Sequence, residues 1–276
     1  MSPQILKLID WSRPWLAPLL PTVEPILAGA NWHQDINEIA TRIGLENHCG
    51  LPVRFVAQAD LPLGTPYEAF ISATGGVPTR DNLHDFFNAL VWLTFPKIKT
   101  QLNALQAAEI FKHTASPGIP HPHGASRGKL RDAATIFDEN AALLVARDAQ
   151  IVDALCNHRW HDVFQTRRAA FGSDWEVWPF GHALMEKLVT PYKSITAHAL
   201  PVMAGDGFFA MPFEEKRRWL DAVASRHLAA GVSTAEFTPL PILGIPGWWH
   251  EQDDAFYGDT TVFRPKKVRG AVGPSA

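Results

Sequence analysis

Cysteine is nearly missing: Cys49 and Cys156 are the only two in 276 residues, and no C-x-x-C pair occurs. That excludes a disulfide framework and makes the reducing cytosol the expected, cytoplasmic compartment. An excess of one charge is missing too. Lys+Arg number 25 against 28 Asp+Glu, a formal net charge of −3, so there is no general pull toward nucleic acid or an anionic membrane. No apolar run approaches the ~20 residues of a spanning helix. The first thirty residues are broken by Asp10, Arg13 and Glu24 and by Pro14, Pro18, Pro21 and Pro25, leaving no uninterrupted apolar core for a signal peptide. Several motifs are also lacking: a G-x-G-x-x-G after a strand, H-E-x-x-H, an EF-hand loop and a P-loop. A nicotinamide dehydrogenase, a zincin and a P-loop NTPase are thereby disfavoured.

What is present is an ordinary globular composition, with 46% hydrophobic and 19% charged residues. The apolar surface is enough to offset the entropy of ordering the chain. The 22 prolines and 10 tryptophans predict short elements, rigid connections and broad aromatic packing.

Periodicity gives an outline. Residues 1–30 read as a proline-punctuated arm packing through Trp11, Trp15, Leu19 and Leu20. Asn31 caps a helix that Gly44 stops. Strand-type residues at 53–57 and 67–73 are expected to pair across the intervening loop. Thr79 or Asp81 caps a helix running to Phe95, and Pro96 ends it or opens the next at its first position. A Gly/Pro/His/Ser loop covers 114–129. A helix over 130–137, a turn at Asp138-Glu139-Asn140 and a buried strand at 141–146 follow. Helices are expected at 148–158, 160–169, 181–189 and 213–230, a strand at 175–178, an irregular aromatic wrap at 240–265 and a basic tail from Lys266. The fold class expected is therefore α+β, a helix-rich single domain over 1–265 with a small mixed sheet.

Four constellations carry chemistry. Asp81, His84, Asp85 and Asn88 stand at i, i+3, i+4 and i+7, one stripe of a helix. A carboxylate beside an imidazole fixes its tautomer and raises its basicity, so such a stripe can run acid–base chemistry or ligate a metal. The bland alternative is a capped first turn and a solvated face. Against it, Trp92 extends the stripe and Arg80 precedes it, as expected of a cleft wall. The second group, Arg127, Lys129, Arg131 and Asp132, could hold an anion at a helix start, or be solvated cations. Asp138 follows it. In the third, His182 at a helix start would have its charged form disfavoured and serve as a neutral base or ligand, with His198 beyond; a partly buried imidazole bonded to a carbonyl is the alternative. The fourth, Cys156-x-His158-x-x-His161, lacks the second half of a zinc site, and His121-Pro122-His123 is weak alone.

The segment from Pro78-Thr79-Arg80-Asp81-Asn82-Leu83-His84-Asp85-Phe86-Phe87-Asn88 to Phe95-Pro96-Lys97 resembles the bacterial domain-of-unknown-function family 3025. So do Arg131 through Asn140, Phe180-Gly181-His182 through Lys187, and Leu243-Gly244-Ile245-Pro246-Gly247-Trp248-Trp249 through Tyr257. The likeness runs roughly from Leu51 to Pro265. It implies a bacterial protein of one domain with all four segments in one unit, and it brings no reaction or cofactor. A fainter likeness, Asn88 through Asn103 to the asparagine segment of HNH-type nucleases, departs from that pattern because His84 shares a helix with Asn88.

The expectation is thus a hydrolase-type enzyme on a small or anionic substrate. Asp81, His84, Asp85, Asn88, Arg131 and His182 would carry catalysis, and Arg80, Trp92, Lys129, Asp138 and His198 would contact the ligand. A non-catalytic binding module is the alternative, and metal-dependent nuclease action a remote one. A small-molecule ligand is the expected partner, not nucleic acid or a membrane; metal, cofactor and oligomeric state are left open. Convergence of these residues in one concavity is what separates enzyme from binding module.

Overall fold

A computed structural model describes residues 6–114 and 128–266. His121, His123 and Arg127, and the expected tail beyond Lys266, lie outside the described residues. The N-terminal arm is built as expected from its apolar residues. A 3-10 segment, Pro14–Leu19, leads into α1 (Leu20–Ala28). Trp15 and Leu19 are buried, and Trp11 and Leu20 pack half-buried against the core. Helix α2 (Trp32–Arg42) starts where Asn31 accepts the amides of His33 and Gln34, and Gly44 ends it with φ 62°.

The segment expected as a second strand is instead a helix. Strand β1 (Arg54–Ala57) is followed by α3 (Tyr67–Thr74) and then β2 (Gly76–Thr79), which pairs with β1 in parallel. Parallel strands need a crossover, and α3 supplies it. Gly75 caps α3 in the left-handed region at φ 74°, where a Cβ would also meet the Pro52 carbonyl oxygen at 2.3 Å.

Helix α4 (Leu83–Thr94) begins at neither expected cap: Asn82 accepts the Asp85 amide at 2.8 Å. Pro96 opens α5 (Pro96–Thr114). The first turn of α5 cannot satisfy its own amides; Asp221 accepts those of Lys97 and Ile98, at 3.2 and 2.9 Å. Helix α6 (Lys129–Asn140) runs through the residues expected as a turn and passes directly into β3 (Ala141–Ala146), which is buried throughout. After α7 (Ala149–Cys156), the expected helix at 160–169 is only a π-turn and a 3-10 turn.

The remaining elements are β4 (Trp175–Pro179), α8 (His182–Val189), β5 (Thr196–Met203), α9 (Asp206–Phe209), α10 (Phe213–Ala229), β6 (Thr238–Pro241) and α11 (Asp254–Tyr257). Strands β5 and β6 were not anticipated. They complete a mixed four-stranded sheet in the order β4-β3-β5-β6, with β3 and β5 parallel and both edges antiparallel. The fold is thus α+β and rich in helix, with two small sheets where one was expected. Among the described residues no helix is long and apolar enough to cross a membrane. Cys49 and Cys156 are free.

Candidate active site

Three helices bring the chemistry together. Helix α4 offers His84, Asp85 and Asn88; the last turn of α6 offers Asp138 and Glu139; the first turns of α8 offer His182 and Glu186, four residues apart on one face. The close approach of α8 to α6 depends on Gly181. A Cβ there would stand 2.5 Å from the Asn140 nitrogen and from the carbonyl of Glu139. Without one, Phe180 and Gly181 both donate backbone N–H bonds to the Ala141 carbonyl, at 3.0 and 2.9 Å. The recess so formed has a volume of about 350 Å³; α3 and β2 close its other side with Tyr67, Glu68, Pro78 and Arg80.

Two ion pairs line it. The Asp85 carboxylate takes the backbone N–H of Arg80 at 2.6 Å, Nε at 3.0 Å and Nη2 at 2.9 Å. Burial works to raise the Asp85 carboxyl, but the Arg80 hydrogen bonds and charge outweigh it and hold it below its ordinary value. Deeper lies Lys99 of α5, 4% exposed. Its ammonium donates to Asp138 Oδ1 at 2.6 Å and Asn88 Oδ1 at 2.8 Å, and sits 5.3 Å from the Trp92 ring centre. Burial again pushes the Asp138 carboxyl up; the charges of Lys99 and His182 more than reverse it. Asn88 donates in turn to the Tyr67 hydroxyl at 3.1 Å. Burial and the neighbouring carboxylates raise the Tyr67 phenol well above its usual value, so it stays protonated and can itself donate.

Beside these pairs stand two imidazoles. His84 Nδ1 is 3.0 Å from Glu186 Oε2, and its Nε2 is 3.1 Å from Nε2 of His182. His182 Nε2 is 3.5 Å from Glu139 Oε2, and its Nδ1 is 4.0 Å from Asp138 Oδ1. Burial, first, pushes His182 down to about 4, with Asp138 opposing and Lys99 and His84 adding to the fall; the ring is neutral at physiological pH. Burial and the nearby Asp138 raise Glu139, and the same causes raise Glu68. The Asn103 Nδ2 amide donates to the backbone carbonyl oxygen of Glu68, at 2.9 Å, and to its carboxylate, at 2.7 Å.

Of the expected site residues, Arg80, His84, Asp85, Asn88, Asp138 and His182 therefore meet. The others do not line the recess. Asp81 precedes α4 and accepts the Trp32 indole N–H at 3.1 Å, because the helix starts two residues later than the stripe assumed. Trp92 is packed in the core, under Lys99. Lys129 is exposed on the first turn of α6. Arg131 is half-buried, close enough for its charge to favour the Glu68 carboxylate. His198 is on β5, its Nδ1 3.0 Å from the Asn140 amide nitrogen. The fourth constellation is dispersed: His158 Nδ1 faces the Arg264 carbonyl at 3.0 Å and His161 Nδ1 faces Thr166 at 3.2 Å.

Reading residues alone missed Tyr67, Glu68, Lys99, Glu139 and Glu186. Glu186 was legible as the i+4 neighbour of His182. Lys99 had no signal, since a lysine on an amphipathic helix is ordinarily solvated.

A family model described as protein of unknown function (DUF3025) matches residues 53–267, and the chain belongs to that family. Every residue of the recess falls within the match. No curated protein and no solved structure matches the chain.

Proposed function

We propose that this chain is a hydrolase-type enzyme acting on a small substrate, with water activated at the cluster of His84, His182 and Glu139. The observation that carries the reading is the convergence itself: α4, α6 and α8 direct two imidazoles and a carboxylate at one point of a recess whose wall is a buried Lys–Asp pair. A non-catalytic binding module would not need its ionisable groups gathered this way. Among the described residues lining the recess there is no serine or cysteine, which favours direct attack by water over a covalent intermediate on either. His84 gives Nδ1–H to Glu186 and so presents a lone pair at Nε2. Glu68, raised by burial, is the group to accept and return the proton. Tyr67 and Asn88 supply neutral hydrogen bonds to a substrate.

The size of the recess suits a small molecule. Arg80 and, behind the lining, Lys99 stand against Glu68, Asp85, Asp138 and Glu139. That balance favours a neutral or cationic substrate over the anionic one first expected, and disfavours nucleic acid. An HNH-type arrangement lacks support, because the strand before α4 is parallel to its partner instead of forming a hairpin. The two free cysteines support a cytoplasmic setting.

The test is a panel of chromogenic esters, amides, phosphoesters and glycosides. At least one class should turn over, and His84→Ala and Glu139→Gln should each lower the rate by roughly 10²-fold or more with little change in unfolding midpoint. Absence of turnover across the panel, or variants as active as the parent, would refute the reading.

A further inference from the structure

We infer that His84, His182 and Glu139 bind one divalent transition-metal ion, of zinc type, through the two Nε2 atoms and the carboxylate. The inference deepens the proposal above and rests on the same recess, but it concerns binding and is decided without a substrate.

The spacing comes first. The three donor atoms lie within 4.8 Å of one another, with the two nitrogens 3.1 Å apart and His182 Nε2 3.5 Å from the Glu139 oxygen. Tetrahedral ligands about 2.05 Å from zinc are separated by about 3.3 Å. These two separations bracket that value; the third pair, His84 Nε2 and the Glu139 oxygen, lies within 4.8 Å and closes on an ion by movement of the partly exposed Glu139 side chain.

Tautomers supply the second argument. A His84 ring that donates Nδ1–H to Glu186 and carries no second proton has a lone pair at its Nε2. Were His182 protonated on Nε2 it could donate to that lone pair. Its Nδ1 would then turn a lone pair toward the Asp138 carboxylate 4.0 Å away, and that buried nitrogen has no hydrogen-bond partner. With the proton on Nδ1, His182 faces Asp138 favourably, but two Nε2 lone pairs then meet at 3.1 Å. A cation between them removes the repulsion. The result is the outer-carboxylate pattern of metal-bound histidines, with Glu186 behind His84 and Asp138 behind His182.

Charge is the third. Arg80 is engaged with Asp85 and Lys99 with Asp138. Among the described residues the ion-pair partners of Glu139 and Glu186 are the imidazoles alone, which leaves net negative charge around the cluster. Three protein ligands with the open side toward the recess is the arrangement of a catalytic rather than a structural zinc site, where a bound water becomes the nucleophile.

The experiment uses the full chain after dialysis against chelator, titrated with Zn²⁺ by calorimetry and with Co²⁺ by visible absorption. One equivalent should bind, with Co²⁺ giving the d–d bands of a four- or five-coordinate N/O site. His84→Ala and Glu139→Gln should abolish or strongly weaken binding while folding normally by circular dichroism. Glu186→Gln, which alters only the group behind His84, should weaken it roughly 10–100-fold. His198→Ala should bind as the parent does. Failure of the parent to bind one equivalent, or ligand variants that bind like it, overturns the inference. Hydrolysis by a parent that binds no metal would overturn it and leave the hydrolase reading standing. Stoichiometric binding with no turnover would do the reverse.

Discussion

Replacing Lys99 with methionine tests whether the floor of the recess is a dry ion pair. Methionine keeps most of the volume of the lysine stem and removes only the charge. The ammonium is 2.6 Å from Asp138 Oδ1, and the two side chains are 4% and 12% exposed. Breaking a buried pair by deleting one partner costs about 3–5 kcal/mol, because the other charge stays desolvated and unpaired. Lys99→Met also deprives Asn88 of its hydrogen-bond donor and Trp92 of its cation, so the upper half of that range is expected. Asp138→Asn should cost a similar amount by stranding the ammonium. The double variant removes both charges and should recover a large part of the loss, giving a coupling of at least about 2 kcal/mol. Urea denaturation of the four proteins at neutral pH supplies the cycle. Single variants that each cost under about 1 kcal/mol, or costs that simply add, are what a solvated surface pair would give, and would refute a water-excluded floor.

Asp221 should govern a pH effect remote from the recess. Burial raises its carboxyl to about 6 from 3.8, against the opposing amides of Ile98 and Lys97. Between those values the folded state keeps a proton that the unfolded state releases, so stability falls as pH rises. Asp221→Asn should therefore gain about 2 kcal/mol on the parent between pH 4 and pH 7, and a difference independent of pH would show that the cap amides keep the carboxylate ionised. Gly181→Ala should force α8 away from α6, and NMR of the imidazoles should show His182 and His84 shifted; unchanged resonances would mean that the 2.5 Å approach is not made. Trp15→Ala should cost about 3–5 kcal/mol, since its ring is buried against Trp248 and its N–H reaches the Leu188 carbonyl at 3.2 Å; a loss under 1 kcal/mol would mean that the arm does not hold to the body.

What could be read from residues, and what could not, divides along physical lines. The capped helices α2 and α4, the buried run of β3 and the apolar arm carry local signals, and each forms near its expected place. Segment 67–74 was misread because Tyr, Phe and Ile are strand-type residues. Yet Tyr67, Phe70, Ile71 and Thr74 repeat at helical spacing between Pro66 and Gly75, so period and stop signals were the better guide than residue type. Strand β5 was hidden by Pro201, which cannot donate to a ladder. Strand β6 pairs with it only as far as Ala199, so the proline lies where one side of β5 is open. Prolines 239 and 241 are tolerated in β6 for the same reason, since it is the edge of the sheet.

The recess was legible in part: the α4 residues through their spacing, and Arg80, Asp138 and His182 as separate candidates that the fold brings to them. His84, Asp85 and Asn88 share α4, and spacing alone puts them side by side. Their partners come from α5, α6 and α8, and which side chain of those helices turns inward is decided by packing across the chain. Lys99 shows this most clearly. Its face of α5 is buried because α4 and α6 close over it, and the ammonium is tolerated there because Asp138 and Asn88 arrive from those same two helices. Neither neighbour is implied by the sequence around Lys99. A polar stripe on a single helix therefore locates a site, whereas the groups that tune its charge are settled only by the tertiary fold.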